Sequence, residues 1–310
     1  MREPEVERWL FTAQQQMQQG QLEGAVDSLR QVLSADPDDS DAHALLAMCL
    51  LDLRRLHAAE HESGMALALE PQSSLALYAS GLVLAARRKF LPAEERFRQL
   101  LEQDPHNSAY YRSLAGIYQL TGRRAEALPL LEKALEIDPN DPDNLVDLGE
   151  AHLATGAVAV AEQRAQEALE LLPEHHGALI LMGRVLLHKD RLDEAREHAV
   201  WALRNDPTSR DALALMAQIK ARSSLVLGLW WRYATWMGSL GDGRSILVLL
   251  AAYVLYRVGV ITAEVMTHEG LANFITLLWL SIVAYTWFGP ALFNQALRKE
   301  LQTVTLGKDF

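Results

Sequence analysis

The sequence predicts an all-α chain in which six helix–turn–helix repeats stack on one another, one more helix closes the stack, and a transmembrane helical hairpin follows. Three observations predict it. Prolines recur at Pro37, Pro71, Pro105, Pro139, Pro173 and Pro207, each 34 residues after the last. Acidity is confined to the front of the chain: residues 1–222 carry a net charge of -12, and residues 223–310 carry +1. Two long apolar runs lie near the C-terminus, at 245–263 and 271–293.

The prolines mark where one repeat ends and the next begins. Stretches such as "SADPDDSDAHAL", "EQDPHNSAYY" and "RNDPTSRDAL" place proline between a helix end and a helix start. Proline lacks the amide hydrogen and disfavours helix in the residue before it, while the Asp, Ser and Asn beyond it supply caps for the next helix. Framed at Val6, Ser40, Ser74, Ser108, Pro142 and His176, the repeats place Trp9, His43, Leu77, Tyr111, Leu145 and Leu179 at position four. Position twenty is Ala25, Ala59, Ala93, Ala127, Ala161 and Ala195 without exception. A small residue there lets two helices approach closely.

This pattern resembles the tetratricopeptide repeat family. Positions seven and eight agree with it in Leu46-Ala47, Leu114-Ala115, Leu148-Gly149 and Met182-Gly183, while Thr12-Ala13, the polar His43 and Ser63 depart from it. The resemblance implies an α-solenoid of six repeats over residues 6–209, capped by an amphipathic helix at 210–222. It also implies a concave groove lined by the first helix of each repeat, able to hold a protein or peptide segment. Carrying the family's groove positions over gives Leu45, Met48, Leu51, Leu75, Tyr78 and Leu82, an apolar stretch. Arg112, Gln119, Asp143, Asp147, Glu150, Ile180 and Arg184 continue it with mixed character. The basic and Asn pattern that holds a chaperone's C-terminal carboxylate in some members is not reproduced.

Composition narrows the function further. An acidic surface repels phosphate backbones, so nucleic acid is not an expected partner. Cys49 is the only cysteine, which leaves no internal disulfide and no Cys-based metal site. The N-terminus "MREPEVERWLFTAQQQ" lacks the basic start and apolar core of a signal peptide, so none is expected. "HAAEH", His57 to His61, matches the spacing of an inverted zinc-peptidase motif, with two histidines four apart on one helix face. It sits inside repeat 2, where Ala59 is the repeat's own small residue, and no third ligand follows. No metal, cofactor or catalytic residue is expected.

The C-terminal region reads as a membrane anchor. Residues 223–244 form an aromatic linker in which Trp230, Trp231, Tyr233 and Trp236 suit the headgroup level of a bilayer. The run at 245–263 spans about 28 Å as a helix, close to hydrocarbon thickness. The second run, 271–293, is uncharged. Basic residues flank both runs on one side, Arg244 before and Arg298 and Lys299 after, which places the repeats and the tail 294–310 in the cytoplasm, with a bacterial inner membrane as the expected site. Arg257 lies within the first run, where it either snorkels towards Glu264 or meets an acid of a membrane-protein partner. The expected function is a membrane-anchored, non-enzymatic scaffold that recruits or assembles proteins. The alternatives are a subunit of a transport or secretion complex working through the hairpin and, remotely, a zinc peptidase.

Overall fold

The computed structural model describes residues 4–223, 242–265 and most of 270–284, together with Tyr233, Trp236, Met237, Phe288 and Gln295. These residues are helical or in turns, with no strand among them. Two compact units divide the chain, Met1–Leu171 and Leu172–Phe310.

The first unit stacks five helical hairpins. Their first helices are α1 (Pro4–Gln18), α3 (Ser40–Asp52), α5 (Ser74–Ala86), α7 (Ser108–Leu120) and α9 (Pro142–Ala154). Their second helices are α2 (Leu22–Ala35), α4 (Leu56–Leu69), α6 (Phe90–Gln103), α8 (Arg124–Ile137) and α10 (Val158–Leu171). The 34-residue proline falls in each loop from a second helix to the next first helix. Just beyond it a side chain caps the new helix: Asp39 accepts the Ala42 amide at 3.0 Å, Ser73 that of Ala76 at 3.3 Å, Asn107 that of Ala109 at 3.1 Å and Asp141 that of Asp143 at 2.9 Å.

The turn inside each hairpin follows a rule that composition does not display. Gly20, Arg54, Arg88, Gly122, Gly156 and Asp190, position fifteen of every repeat, all adopt a left-handed backbone with φ between 59° and 85°. The amide after each bonds back to the carbonyl five residues earlier in the helix, as in Arg55 N–H to Leu50 O at 2.8 Å and Arg123 N–H to Tyr118 O at 2.7 Å, closing a six-residue turn. This is the Schellman closure, which satisfies the last carbonyls of the first helix. Glycine adopts it freely; Arg54, Arg88 and Asp190 adopt it against the steric preference of a side chain.

Position twenty does what its size predicts. Ala25, Ala59, Ala93, Ala127, Ala161 and Ala195 are all fully buried. Gly81 goes further, because a methyl group built on it would lie 2.8 Å from the Phe97 ring. The departures at His43 and Ser63 also find local solutions. The buried His43 ring sets Nδ1 2.6 Å from a Glu62 carboxylate oxygen and Nε2 3.0 Å from the Pro37 carbonyl, so a polar ring is satisfied where most repeats bury a large side chain. Ser63 is buried and donates to the Glu60 carbonyl at 3.2 Å.

The second unit holds α11 (His176–His188), α12 (Leu192–Asn205), α13 (Arg210–Ser223) and α14 (Asp242–Val265). Among its described residues, Leu179, Leu181, Leu203, Leu215, Met216 and Ile219 are fully buried large side chains. On α14, Val260 and Ala263 are buried with Tyr256 and Ile275 packed against them, and Tyr256 stacks on Trp279 at 5.0 Å and 9°. Among the described residues no helix is long and apolar enough to cross a membrane. The transmembrane hairpin expected at 245–263 and 271–293 therefore finds no support here, and neither does a multi-pass placement. Asp242, Arg244, Arg257 and Glu264 all fall within the 24 residues of α14. Trp230, Trp231 and nearly all of the tail 294–310 lie outside the described residues.

Candidate functional site

The first helices of the first unit present one face, and the structure divides the residues expected on it into those used in packing and those left open. Leu45 is buried in the core of repeats 1 and 2, with Leu51 and Leu75 packed against it. Met48 and Leu75 lie on a cluster of buried alanines, Ala44, Ala47, Ala66, Ala76 and Ala79. Tyr78 packs edge-on to Phe97 at 5.9 Å and tilted on Tyr110 at 5.7 Å, and Leu82 joins the same core. In the second unit Ile180 is buried and Arg184 lies 3.4 Å from Asp211.

Arg112 is similarly engaged. Its guanidinium reaches Asp141 at 2.9 Å, Asp143 at 3.3 Å and Asp147 at 3.2 Å, joining α7 to α9 through all three of its nitrogens. Glu150, three residues further along α9, adds its charge to the field around Asp147. Burial, reinforced by the charges of Asp143, Asp141 and Glu150 and opposed by Arg112, pushes the Asp147 carboxyl up to about 6.

Two openings remain on this face. A cleft of about 420 Å³ is lined by Gln119, Leu120, Arg124, Leu128, Glu150 and Ala151, with Ala125, Ala154 and Thr155 completing it. Its walls are mostly apolar, and Leu120 is 67% exposed. A smaller one of about 260 Å³ at the other end is lined by Glu7, Leu10, Phe11, Gln14, Asp41, Leu45 and Leu75. Phe11 there is also 67% exposed. Neither Phe11 nor Leu120 was among the residues expected from sequence. Phe11 stands at position six of repeat 1, the position of Leu45 and Asp147, so extending the same transfer one repeat earlier would have found it. Leu120 stands at position thirteen, which the transfer did not include.

The zinc-like motif is occupied by ion pairs. Glu60 bonds Arg87 at 3.2 Å and Lys89 at 2.7 Å, and His57 Nδ1 lies 3.1 Å from the same Arg87. Two cations thus surround the residues that a divalent metal would need, and the described residues contain no cluster of three metal-ligating side chains. Burial raises the Cys49 thiol to about 11, which keeps it protonated and unreactive. On the tail, Trp236 and Arg257 are exposed and Tyr233 is half-buried.

Comparison with known proteins agrees with this architecture. Two family models, each described as tetratricopeptide repeat, match residues 16–81 and 120–165 and residues 78–142 and 146–210, together well over half of the chain. Among solved structures, Pseudomonas aeruginosa pilF is 21% identical with a TM-score of 0.51, over 69% of this chain and 97% of its own. TTC0263, a thermophilic TPR protein of Thermus thermophilus, is 20% identical with a TM-score of 0.55, over 59% and 99%. A tetratricopeptide repeat protein from Parabacteroides merdae reaches a TM-score of 0.59 at 17% identity, over 69% and 84%. At these identities the likeness is one of fold. None of the curated proteins matches. With the 34-residue period, the alanine at position twenty and the repeated left-handed turn, these matches establish that the chain belongs to the tetratricopeptide repeat family.

Proposed function

We propose that this protein is a non-catalytic scaffold that holds a segment of a partner protein against the first-helix face of its repeats. The observation that carries this reading is the exposure of Phe11 and Leu120 on that face, each beside a cleft, while its other large apolar residues are packed away. Large side chains left in water beside a concave apolar surface favour a partner that covers them. Phe11→Lys and Leu120→Lys should each abolish co-purification of the partner. Leu91→Lys should not, because Leu91 is 80% exposed but lies on the second helix of its hairpin. Equal loss with all three variants would contradict the reading.

We further infer that the C-terminal segment attaches this scaffold to a lipid bilayer. What supports it is apolar exposure on several sides of α14, at Leu247, Leu250, Val254, Leu255, Val258 and Ile261, continued by Phe274, Leu277 and Leu278. Arg257 is the position at which a membrane-protein partner would meet this segment, and Arg257→Leu should then weaken that complex. Fractionation of cells expressing the full chain tests the attachment. Recovery in the membrane pellet is expected, with resistance to alkaline carbonate distinguishing insertion from surface contact. Recovery in the soluble fraction would overturn it.

A further inference from the structure

Residues 273–281 are helical and run back along α14, since Tyr256 stacks on Trp279 while Val260 and Ala263 pack with Ile275. This contact uses one face of α14 and leaves a second one open. Leu247, Leu250, Val254, Arg257, Ile261 and Glu264 recur at alternating spacings of three and four residues, and all six are exposed. That is the heptad spacing by which one helix meets another along a continuous seam. Its two charged members, Arg257 and Glu264, lie seven residues and about 10 Å apart along the helix. Neither forms an ion pair or hydrogen bond among the described residues.

We propose that α14 pairs antiparallel with α14 of a second copy of this chain, Arg257 of each copy meeting Glu264 of the other about a two-fold axis beside Ile261. The charges fix both the partner and the direction. A parallel pair sets Arg257 against Arg257 and Glu264 against Glu264, whereas the two-fold axis midway between them forms two opposite-charge contacts within an apolar seam. Hydrocarbon alone over this stripe leaves both charges without a partner, so lipid does not satisfy it. Leu255 and Val258 are exposed off the seam and remain free to face a bilayer. The inference deepens the reading of Arg257 as the place where a partner meets this segment, and it does not depend on attachment to a bilayer.

Oxidative crosslinking of the full chain in lysed cells tests the pairing, and the buried Cys49 stays out of it. Ile261→Cys should form a disulfide-linked dimer. Leu247→Cys should not, because antiparallel pairing sets the two copies of that position about 40 Å apart. Sedimentation of the purified full chain tests the charges. Arg257→Glu and Glu264→Arg should each raise the dimer dissociation constant at least about tenfold, and the two together should bring it back to within about threefold of the parent. Rescue by the double variant is a result that misfolding does not produce. Crosslinking of Leu247→Cys as readily as Ile261→Cys would mean a parallel pair and overturn the inference. A monomer throughout, or single reversals that the double variant does not rescue, would also overturn it and leave the seam to lipid or to another protein. Attachment to the bilayer is read separately, by fractionation, and stands or falls on that result.

Discussion

Tyr78 and Arg112 stand at position five of consecutive repeats, and each is engaged by its neighbours in a different way. Tyr78 is held by the rings of Phe97 and Tyr110; Arg112 is held by carboxylates of the next repeat. Around Tyr78 the first-helix face is a core, where removing a side chain removes stability. Around Arg112 it is an ion-paired surface beside an open cleft, where a change removes charge contacts and leaves the apolar core intact. A groove position in this fold is therefore defined by its neighbours as much as by its place in the repeat.

The sharpest way to break the comparison is to damage the aromatic end. Phe97→Ala should cost about 3–5 kcal/mol in urea denaturation, because the ring is fully buried beneath Gly81 and against Tyr78. Gly81→Ala should cost about 1–3 kcal/mol by the opposite defect, a methyl group forced to within 2.8 Å of the same ring. The hairpin turns give a smaller, two-signed effect. Gly122→Ala should destabilise by about 1–2 kcal/mol and Arg88→Gly should stabilise by up to about 1 kcal/mol, since both sites require a left-handed backbone. At the charged end, Asp143→Asn should cost no more than about 1 kcal/mol, since it removes one partly exposed ion pair with Arg112.

The smallest effect is one of pH. The Asp147 carboxyl is raised from 3.8 to about 6 by burial and its acidic neighbours, so between those values the folded protein holds a proton that the unfolded chain has released. Asp147 therefore makes stability fall as pH rises through that window. Melting temperatures measured from about pH 4 to pH 7 should show a shallower decline for Asp147→Asn. A slope identical to that of the parent protein would mean that Asp147 titrates as an ordinary surface carboxylate.

Much of the fold was legible because its signals are local. Proline at a fixed period, a cap two residues later and alanine at position twenty each act through a single turn or a single close contact. The left-handed position fifteen was half legible. Gly20, Gly122 and Gly156 announce it, but Arg54, Arg88 and Asp190 satisfy the same closure without the residue that signals it. The candidate site was harder to read because exposure depends on contacts between repeats. Leu45 and Phe11 share position six, yet one is buried between repeats and the other, in the first repeat, stands open. Sequence transfer placed Tyr78 on the groove lining, and only the placement of Phe97 and Tyr110 shows that the ring also packs against its neighbours.

The central claim, that a partner segment lies along the first-helix face of the repeats, is tested most directly by site-specific photo-crosslinking in cells. The photoreactive residue belongs at Phe11 and Leu120, with Leu91 as the control, and the crosslinked peptide is identified by mass spectrometry. Crosslinks from Phe11 and Leu120 to one contiguous stretch of a single protein, with none from Leu91, are the predicted result. Crosslinks from Leu91 alone, or from all three positions to unrelated proteins, would contradict the account.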